Sequence, residues 1–115
     1  MSSIAGSLSR LSKAEITQLY RKAKRAFRHP GLDILLAPKP RELAKIIVVT
    51  PARIGNAPER NTVRRRLKAI FYEHELYNSP YDCMIIVKKD GVDIPFEQLQ
   101  QMLVTTVKRG IAQQS

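Results

Sequence analysis

The sequence predicts a two-layer α/β sandwich built on one mixed sheet, with elements in the order α-β-β-α-β-α and room for one further strand that the pattern does not reveal. Three observations predict it. Amphipathic stretches with apolar residues at helical spacing alternate with short β-branched runs, Pro and Gly punctuate the junctions, and neither repeats nor low-complexity tracts interrupt the pattern. At 115 residues, 43% of them apolar, the chain suits one domain with a modest core. That domain is taken as residues 1–115, with the small, polar residues 1–10 expected to form a flexible tail.

The first helix is predicted from a capping box, Ser12-Lys13-Ala14-Glu15, followed by the apolar stripe Ile16, Leu19, Tyr20, Ala23 and Phe27. Arg21, Lys22, Lys24, Arg25 and Arg28 fill its other faces, and His29-Pro30-Gly31 ends it. Leu32 to Ala37 and Leu43 to Thr50 then read as neighbouring strands across a linker with two prolines. The continuous run Ile46-Ile47-Val48-Val49 suggests burial on both faces or a central place in the sheet. Asn56 is expected to cap a second helix, with Pro58 in its first turn and Glu59 at its third position, running to about Tyr77. Val63, Leu67, Ile70, Phe71 and His74 fall within an arc about 80° wide, so they form its core face. Tyr81 to Lys88 forms the next strand, turned by Lys89-Asp90-Gly91. Asp93 is expected to cap a last helix with Pro95 in its first turn, a core stripe of Phe96, Leu99, Leu103 and Val107, and Lys108, Arg109 and Gly110 as closing residues.

The chain carries a net charge of +10 and a pI near 10.2. Divided after Lys68, it separates into an N-terminal part of net +12 and a C-terminal part of net −2. Such an excess repels itself, so a polyanionic partner is implied, nucleic acid before a membrane surface. No apolar stretch approaches the roughly 18–20 residues that span a bilayer, and residues 1–10 lack the apolar core of a signal peptide. The single cysteine, Cys83, lies in an apolar run and reads as a small buried hydrophobe. Together these point to a cytoplasmic protein.

The stretch from Ala52 to Phe71 carries the functional signal. Gly55 permits a close or left-handed backbone path between strand and helix, and the helix N-terminus offers N–H groups to a phosphate. Arg60, Arg64 and Lys68, four apart, line one edge of the helix; Arg65 continues that side, Arg66 lies on the opposite flank, and Arg53 precedes the turn. Asn61 adds a neutral donor and acceptor able to reach a sugar hydroxyl, a base edge or the hydration shell of a metal ion held by RNA. No catalytic constellation accompanies them. Glu73 and Glu75 do not share a helix face, Cys83 lacks a neighbouring base, and His29 and His74 lack a second ligand at metal spacing, so capping or packing roles fit them.

This stretch closely resembles the signature of the bacterial ribonuclease P protein component: a basic strand end, the turn Gly55-Asn56-Ala57, and a helix with an Arg-Asn-Arg motif and further basic residues. The basic first helix, the strand pair, the strand Asp82 to Lys88 and the closing helix keep the family's order over nearly the whole chain. It departs from the signature in two places, Thr62 standing for the motif's second Arg and Ala52-Arg53 for the paired lysines before the glycine. The resemblance implies a left-handed β-α-β crossover and a protein subunit that assists a catalytic RNA in trimming the 5′ leader of precursor tRNA. It carries the RNA-contact role to Arg60, Asn61, Arg64, Arg65 and Lys68, and Arg53, the cation just before the turn, is counted with them as a candidate. It also implies a leader cleft between the first helix and the sheet, for which Lys13, Ile16 and Tyr20 are the candidates. Tyr20 also falls on the core stripe, where ordinary packing is the competing reading. Mg²⁺ is expected to be held mainly by the RNA subunit, with none bound by the protein alone, and neither DNA nor a membrane is expected as a partner. Two rivals stand beside this reading: a ribosomal or other structural RNA-binding protein, and a DNA-binding helix-turn-helix protein. The second fits poorly, because a strand and a Gly-Asn turn, not a short helix, precede the basic helix.

Overall fold

A computed structural model describes residues 13–39 and 42–114. The helices are α1 (Lys13–Lys22), α2 (Ala57–Glu73) and α3 (Phe96–Gln114), and the strands are β1 (Lys24–His29), β2 (Leu32–Pro38), β3 (Ile46–Val49) and β4 (Tyr81–Val87). Single 3₁₀ turns occupy Ala52–Ile54, Leu76–Asn78 and Lys89–Asp93. The strands form one mixed sheet in the order β1-β2-β4-β3, antiparallel except for the β3–β4 pair. Ser12, the expected cap of the first helix, lies outside the described residues.

The strand that the pattern conceals is β1. The first helix stops at Lys22, and Lys24–His29 pairs with β2. Phe27 and His29 stand opposite Ile34 and Leu32, so the chain is pleated here, and a register shift between Arg25 and Phe27 breaks the alternation that would have advertised a strand. The break leaves Phe27 four residues after Ala23, which imitates a helical repeat. Pro30-Gly31 is accordingly a hairpin turn and not a helix end; the Gly31 N–H donates to His29 Nδ1 at 2.9 Å.

A second difference concerns the strand order. β2 and β3 are not neighbours, because β4 lies between them, and β3 is an edge strand. At the start of the pair the Lys45 N–H donates to Asp82 Oδ1 at 2.8 Å, and the Cys83 N–H donates to the Lys45 carbonyl at 2.9 Å. β4 is one of the two inner strands with β2, and it is buried from Asp82 to Ile85 and again at Val87. In β3 only Ile46 and Val48 are buried, while Ile47 and Val49 are half-buried. Both strands are apolar on both faces, so hydropathy alone does not tell centre from edge.

Alternation along the strands separates two apolar clusters. Leu32, Ile34, Leu36, Ile46, Val48, Cys83, Ile85 and Val87 point to the face covered by α2 and α3, where Val63, Leu67, Ile70, Phe71, Leu99, Leu103 and Val107 complete the core. Ala37 and Met84 point to the other face and are covered by Leu19 of α1, with Ile16, Leu35, Ile47, Val49 and Ile86 around them. The main sandwich is thus two-layered, and α1 forms a partial cover on the second face. It lies over the end of the sheet where β2 finishes and β4 begins, leaving the rows of Ile86 and Val49 less covered.

Helix ends also differ from expectation. The second helix stops at Glu73, with His74 as an exposed C-cap in place of a core residue, and Glu75 at φ 52° turns the chain into the 3₁₀ segment that buries Leu76. The last helix starts at Phe96, where the Pro95 carbonyl accepts from the Leu99 N–H, so Asp93 sits in the preceding 3₁₀ turn and does not cap it. Gly110 is interior to α3 and not its stop signal. A Cβ there would come within 2.9 Å of Leu36 Cδ1 and 3.0 Å of Tyr81 Cε2, and the Tyr81 hydroxyl donates to the Gly110 carbonyl at 2.8 Å.

Gly31 and Gly91 meet backbone to backbone, clamping the hairpin tip against the turn after β4. A Cβ at Gly91 would fall 2.1 Å from the Gly31 carbonyl oxygen and 2.7 Å from Val87 Cγ1. Neither the carbonyl nor the packed valine can yield cheaply. Gly91→Ala is therefore expected to destabilise the fold by about 1–3 kcal/mol, read as a lower urea midpoint with the slope unchanged.

Candidate nucleic-acid interface

The site is built from the α2 start. The Asn56 side chain accepts from the Glu59 N–H at 2.9 Å, and the Asn56 N–H donates to Glu59 Oε1 at 3.0 Å, completing a capping box with Pro58 in the first turn. Gly55 has φ 169°, extended backbone and not the left-handed path the sequence left open. Its lack of a side chain serves close approach, since a Cβ would lie 2.8 Å from Glu59 Oε1. The capping box also changes one expectation: a protein carboxylate already sits at the helix N-terminus, so an incoming phosphate does not find that end open.

The cations lie along the flank. Arg60 Nε donates to the Gly55 carbonyl at 3.2 Å, which holds the half-buried guanidinium along the turn. Arg64 is fixed twice, by Nη1 donating to Asn61 Oδ1 at 3.1 Å and by Nη2 donating to the Thr50 hydroxyl just beyond β3. Lys68, one turn further and half-buried, has its amine held below its ordinary value by partial burial and then by the charge of Arg64. Asn61 and Arg65 are exposed on the outer side, next to Thr62, whose hydroxyl is taken by the Pro58 carbonyl at 2.9 Å. The ion pairs seen among the described residues, Arg25–Asp33, Lys45–Glu15 and Lys88–Asp33, leave this row uncompensated.

Arg64 and Lys68 line a depression of about 340 Å³ together with Ile46, Ile47, Val48 and Thr50 at the β3 edge and Ile16 of α1. The structure thereby joins two groups of residues that the sequence treats separately. On a helix, Ile16 lies 60° from Leu19 and Tyr20 lies 40° beyond Ile16, with Lys13 next in the same stripe. Leu19 is buried against the sheet and Tyr20 is 63% exposed, so packing does not account for Tyr20. Lys13 is exposed as well and stands outside the depression. Arg53 is exposed on its 3₁₀ turn and faces a separate hollow shared with Ile86, Lys88 and Lys89.

Thr50, Lys88 and Lys89 are contributors that sequence reasoning missed. Thr50 gave no signal, because its partner Arg64 lies 14 residues away across the turn and helix start. Lys88 and Lys89 were visible as basic residues, but only strand order brings them beside Arg53. Lys88 Nζ also meets Asp33 Oδ1 at 2.9 Å and Arg25 Nε meets Asp33 Oδ2 at 3.6 Å, so the buried carboxylate on the less covered sheet face is neutralised by two cations. Cys83 is fully buried, and burial followed by the neighbouring Asp82 charge pushes its thiol well above the ordinary range, which removes it as a nucleophile. No group of three or more potential metal ligands occurs among the described residues, and no described helix is long and apolar enough to cross a membrane.

Comparison with known proteins identifies the family and the fold. The ribonuclease P family model matches residues 8–110. The chain is 31% identical over 109 residues to the ribonuclease P protein component of Roseiflexus sp. (strain RS-1), covering 92% of this chain and 89% of that protein. It is 28% identical over 102 residues to that of Chloroflexus aurantiacus (strain ATCC 29366 / DSM 635 / J-10-fl), covering 87% and 76%. The solved RNase P protein of Staphylococcus aureus superposes with a TM-score of 0.75 at 17% identity, covering 90% of this chain and 94% of that one, a likeness of fold.

The Lys68 environment yields a prediction with a defined sign. Its folded amine is lowered, so charging it costs the folded state, and that cost fades as pH rises through the lowered value towards about 10.4, where the unfolded lysine also discharges. Lys68→Met keeps the stem and removes the like-charge pair with Arg64. It should stabilise the protein by about 0.2–0.5 kcal/mol at neutral pH, a gain that shrinks towards pH 10.5 in urea titrations.

Proposed function

Because this chain belongs to the ribonuclease P protein family, we propose that it is the protein subunit of the ribonucleoprotein that removes the 5′ leader from precursor tRNA, contributing charge and position while the RNA carries the reaction. Membership in that family places its work in tRNA 5′ processing. The observation that supports the finer reading is the uncompensated row on α2, braced by Gly55 and Thr50 and opening onto a depression that α1 and β3 share.

In this reading the catalytic RNA lies along Arg60, Asn61, Arg64, Arg65 and Lys68, with Arg53 as a further cation. Bracing lowers the conformational entropy lost when a guanidinium meets a phosphate, so less of the attraction is spent on ordering. Asn61 holds Arg64 through its carbonyl oxygen, which leaves its amide hydrogens for a sugar hydroxyl or a phosphate. The single-stranded leader occupies the side of α1 that carries Lys13, Ile16 and Tyr20, with the exposed Tyr20 ring available for base stacking. Two polyanions repel each other, and a protein of net charge +10 between them lowers the Mg²⁺ needed to bring them together. Mg²⁺ itself stays with the RNA, and the proposed setting is the cytoplasm.

The decisive measurement adds the purified chain to a bacterial catalytic RNA and precursor tRNA at low Mg²⁺. Leader cleavage should rise; no gain would leave only a structural RNA-binding role. If about five phosphates are neutralised on single-stranded leader, log K against log[salt] should fall with a slope of about −3.5. For the catalytic RNA, Arg60→Ala with Arg64→Ala should flatten the salt dependence, and an unchanged slope would mean a merely solvated helix face. Tyr20→Ala should raise KM for leader-bearing precursor several-fold with no change in urea midpoint, since the ring contributes little to the core, and Tyr20→Phe should restore it.

A further inference from the structure

A second cationic groove lies at the opposite edge of the sheet. Lys22 ends α1, Lys24 and Arg25 open β1, and Arg109 comes from the last turns of α3; these four cations line a hollow of about 630 Å³. Among the described residues no carboxylate lines it. Arg25 shares Asp33 with Lys88, while Lys22, Lys24 and Arg109 have no ion pair among those the structure shows. Cations separated by more than eighty residues in sequence converge because β1 is the edge strand beside the end of α3.

The floor is formed rather than incidental. Leu36, Pro38 and Tyr81 line it, and the Tyr81 ring is held by its hydroxyl donating to the Gly110 carbonyl at 2.8 Å. Gly110 is what lets α3 come that close, and the absence of its side chain keeps the hollow open. An apolar, partly aromatic floor under a cationic rim is the arrangement that takes a single strand of nucleic acid, bases on the floor and phosphates at the rim. A bilayer fits less well, because the apolar stripe of α3, Leu99, Leu103 and Val107, is fully buried in the core.

We propose that this groove is a second binding site for single-stranded RNA, separate from the α2 row. β1 and β3 are the two outer strands, so at about 4.8 Å between neighbours the two basic surfaces stand roughly 14 Å apart across the sheet. The choice of RNA over another polyanion rests on the function proposed above. The location of the site does not.

The test uses the full chain and a fluorescein-labelled oligouridylate, which has no structure for the α2 row to recognise. Lys22→Ala, Lys24→Ala and Arg109→Ala combined should make the salt slope shallower by about 2, the value for three phosphates on a single strand. The charge-conserving set Lys22→Arg, Lys24→Arg and Arg109→Lys should keep it, which separates lost charge from lost fold. In the Arg60→Ala, Arg64→Ala protein, 4-thiouridine cross-links should persist on the peptides holding Lys24 and Arg109. An unchanged slope in the triple variant, or cross-links confined to α2, overturns the proposal, as does loss of binding to phosphatidylglycerol vesicles alone. If the slope falls but the wild-type chain gives no gain in leader cleavage, this site stands and the tRNA-processing role fails; a gain in cleavage with an unchanged slope does the reverse.

Discussion

The pairing of β3 with β4 is the constraint on which the rest of the structure depends. It begins where the buried Asp82 carboxylate accepts the Lys45 N–H and the next residue, Cys83, donates back to the Lys45 carbonyl. Two parallel strands cannot be joined by a tight turn, so the chain between them must leave the sheet, cross a face and return. α2 is that crossing. Its start is therefore fixed at one end of β3 and its apolar face against the sheet, which leaves its basic flank beside the β3 edge. The position of Arg64 next to Thr50, and of both beside Ile16, is a consequence of topology before it is one of charge.

Charge then sets the balance between stability and binding. A row of cations four residues apart repels itself, and the described residues offset this little: Arg60 is tied to a backbone carbonyl, Arg64 to a neutral amide and a hydroxyl, and Lys68 to no partner seen among them. Neutral acceptors orient a guanidinium without cancelling its field. By contrast, the buried Asp33, in the less covered part of the α1-side face, is matched by two cations, so its charge is locally offset. The free protein is in this sense built with an unmet electrostatic demand that a polyanion would satisfy.

Features carried by a single helix were legible in the sequence, and features that depend on which strands are neighbours were not. The Asn56 cap, the apolar arc from Val63 to Phe71 and the shared flank of Arg60, Arg64 and Lys68 all follow from a 3.6-residue period, and all are present. β1 was hidden because its irregularity near Ala26 spaces Phe27 as a helix would, and because its basic residues look like the solvated face of a helix. The order of β3 and β4 was hidden because Ile-Ile-Val-Val and Cys-Met-Ile-Ile-Val are equally apolar; only the pairing at Asp82 separates edge from centre. Of the site, the α2 row could be read, whereas its bracing by Thr50, the hollow shared with α1 and the convergence at the β1 edge required the sheet. Tyr20 shows the limit within a helix: period alone put it on the core stripe, but the ring falls just past the angle at which α1 meets the sheet.

Glu59 is the only acidic residue in the first four turns of α2, and its carboxylate is folded back onto the Asn56 amide. It thus plugs the one end of the helix where backbone dipoles would otherwise attract a phosphate. A nucleic-acid strand approaching this surface is consequently not offered an end-on socket. It is offered a rail of side chains, spaced at about 6 Å per step along the helix axis, so in the proposed complex the strand runs alongside the helix. Recognition of that kind is graded, each additional cation lengthening the track, and it tolerates sliding by a step, which an end-on pocket for one phosphate would not.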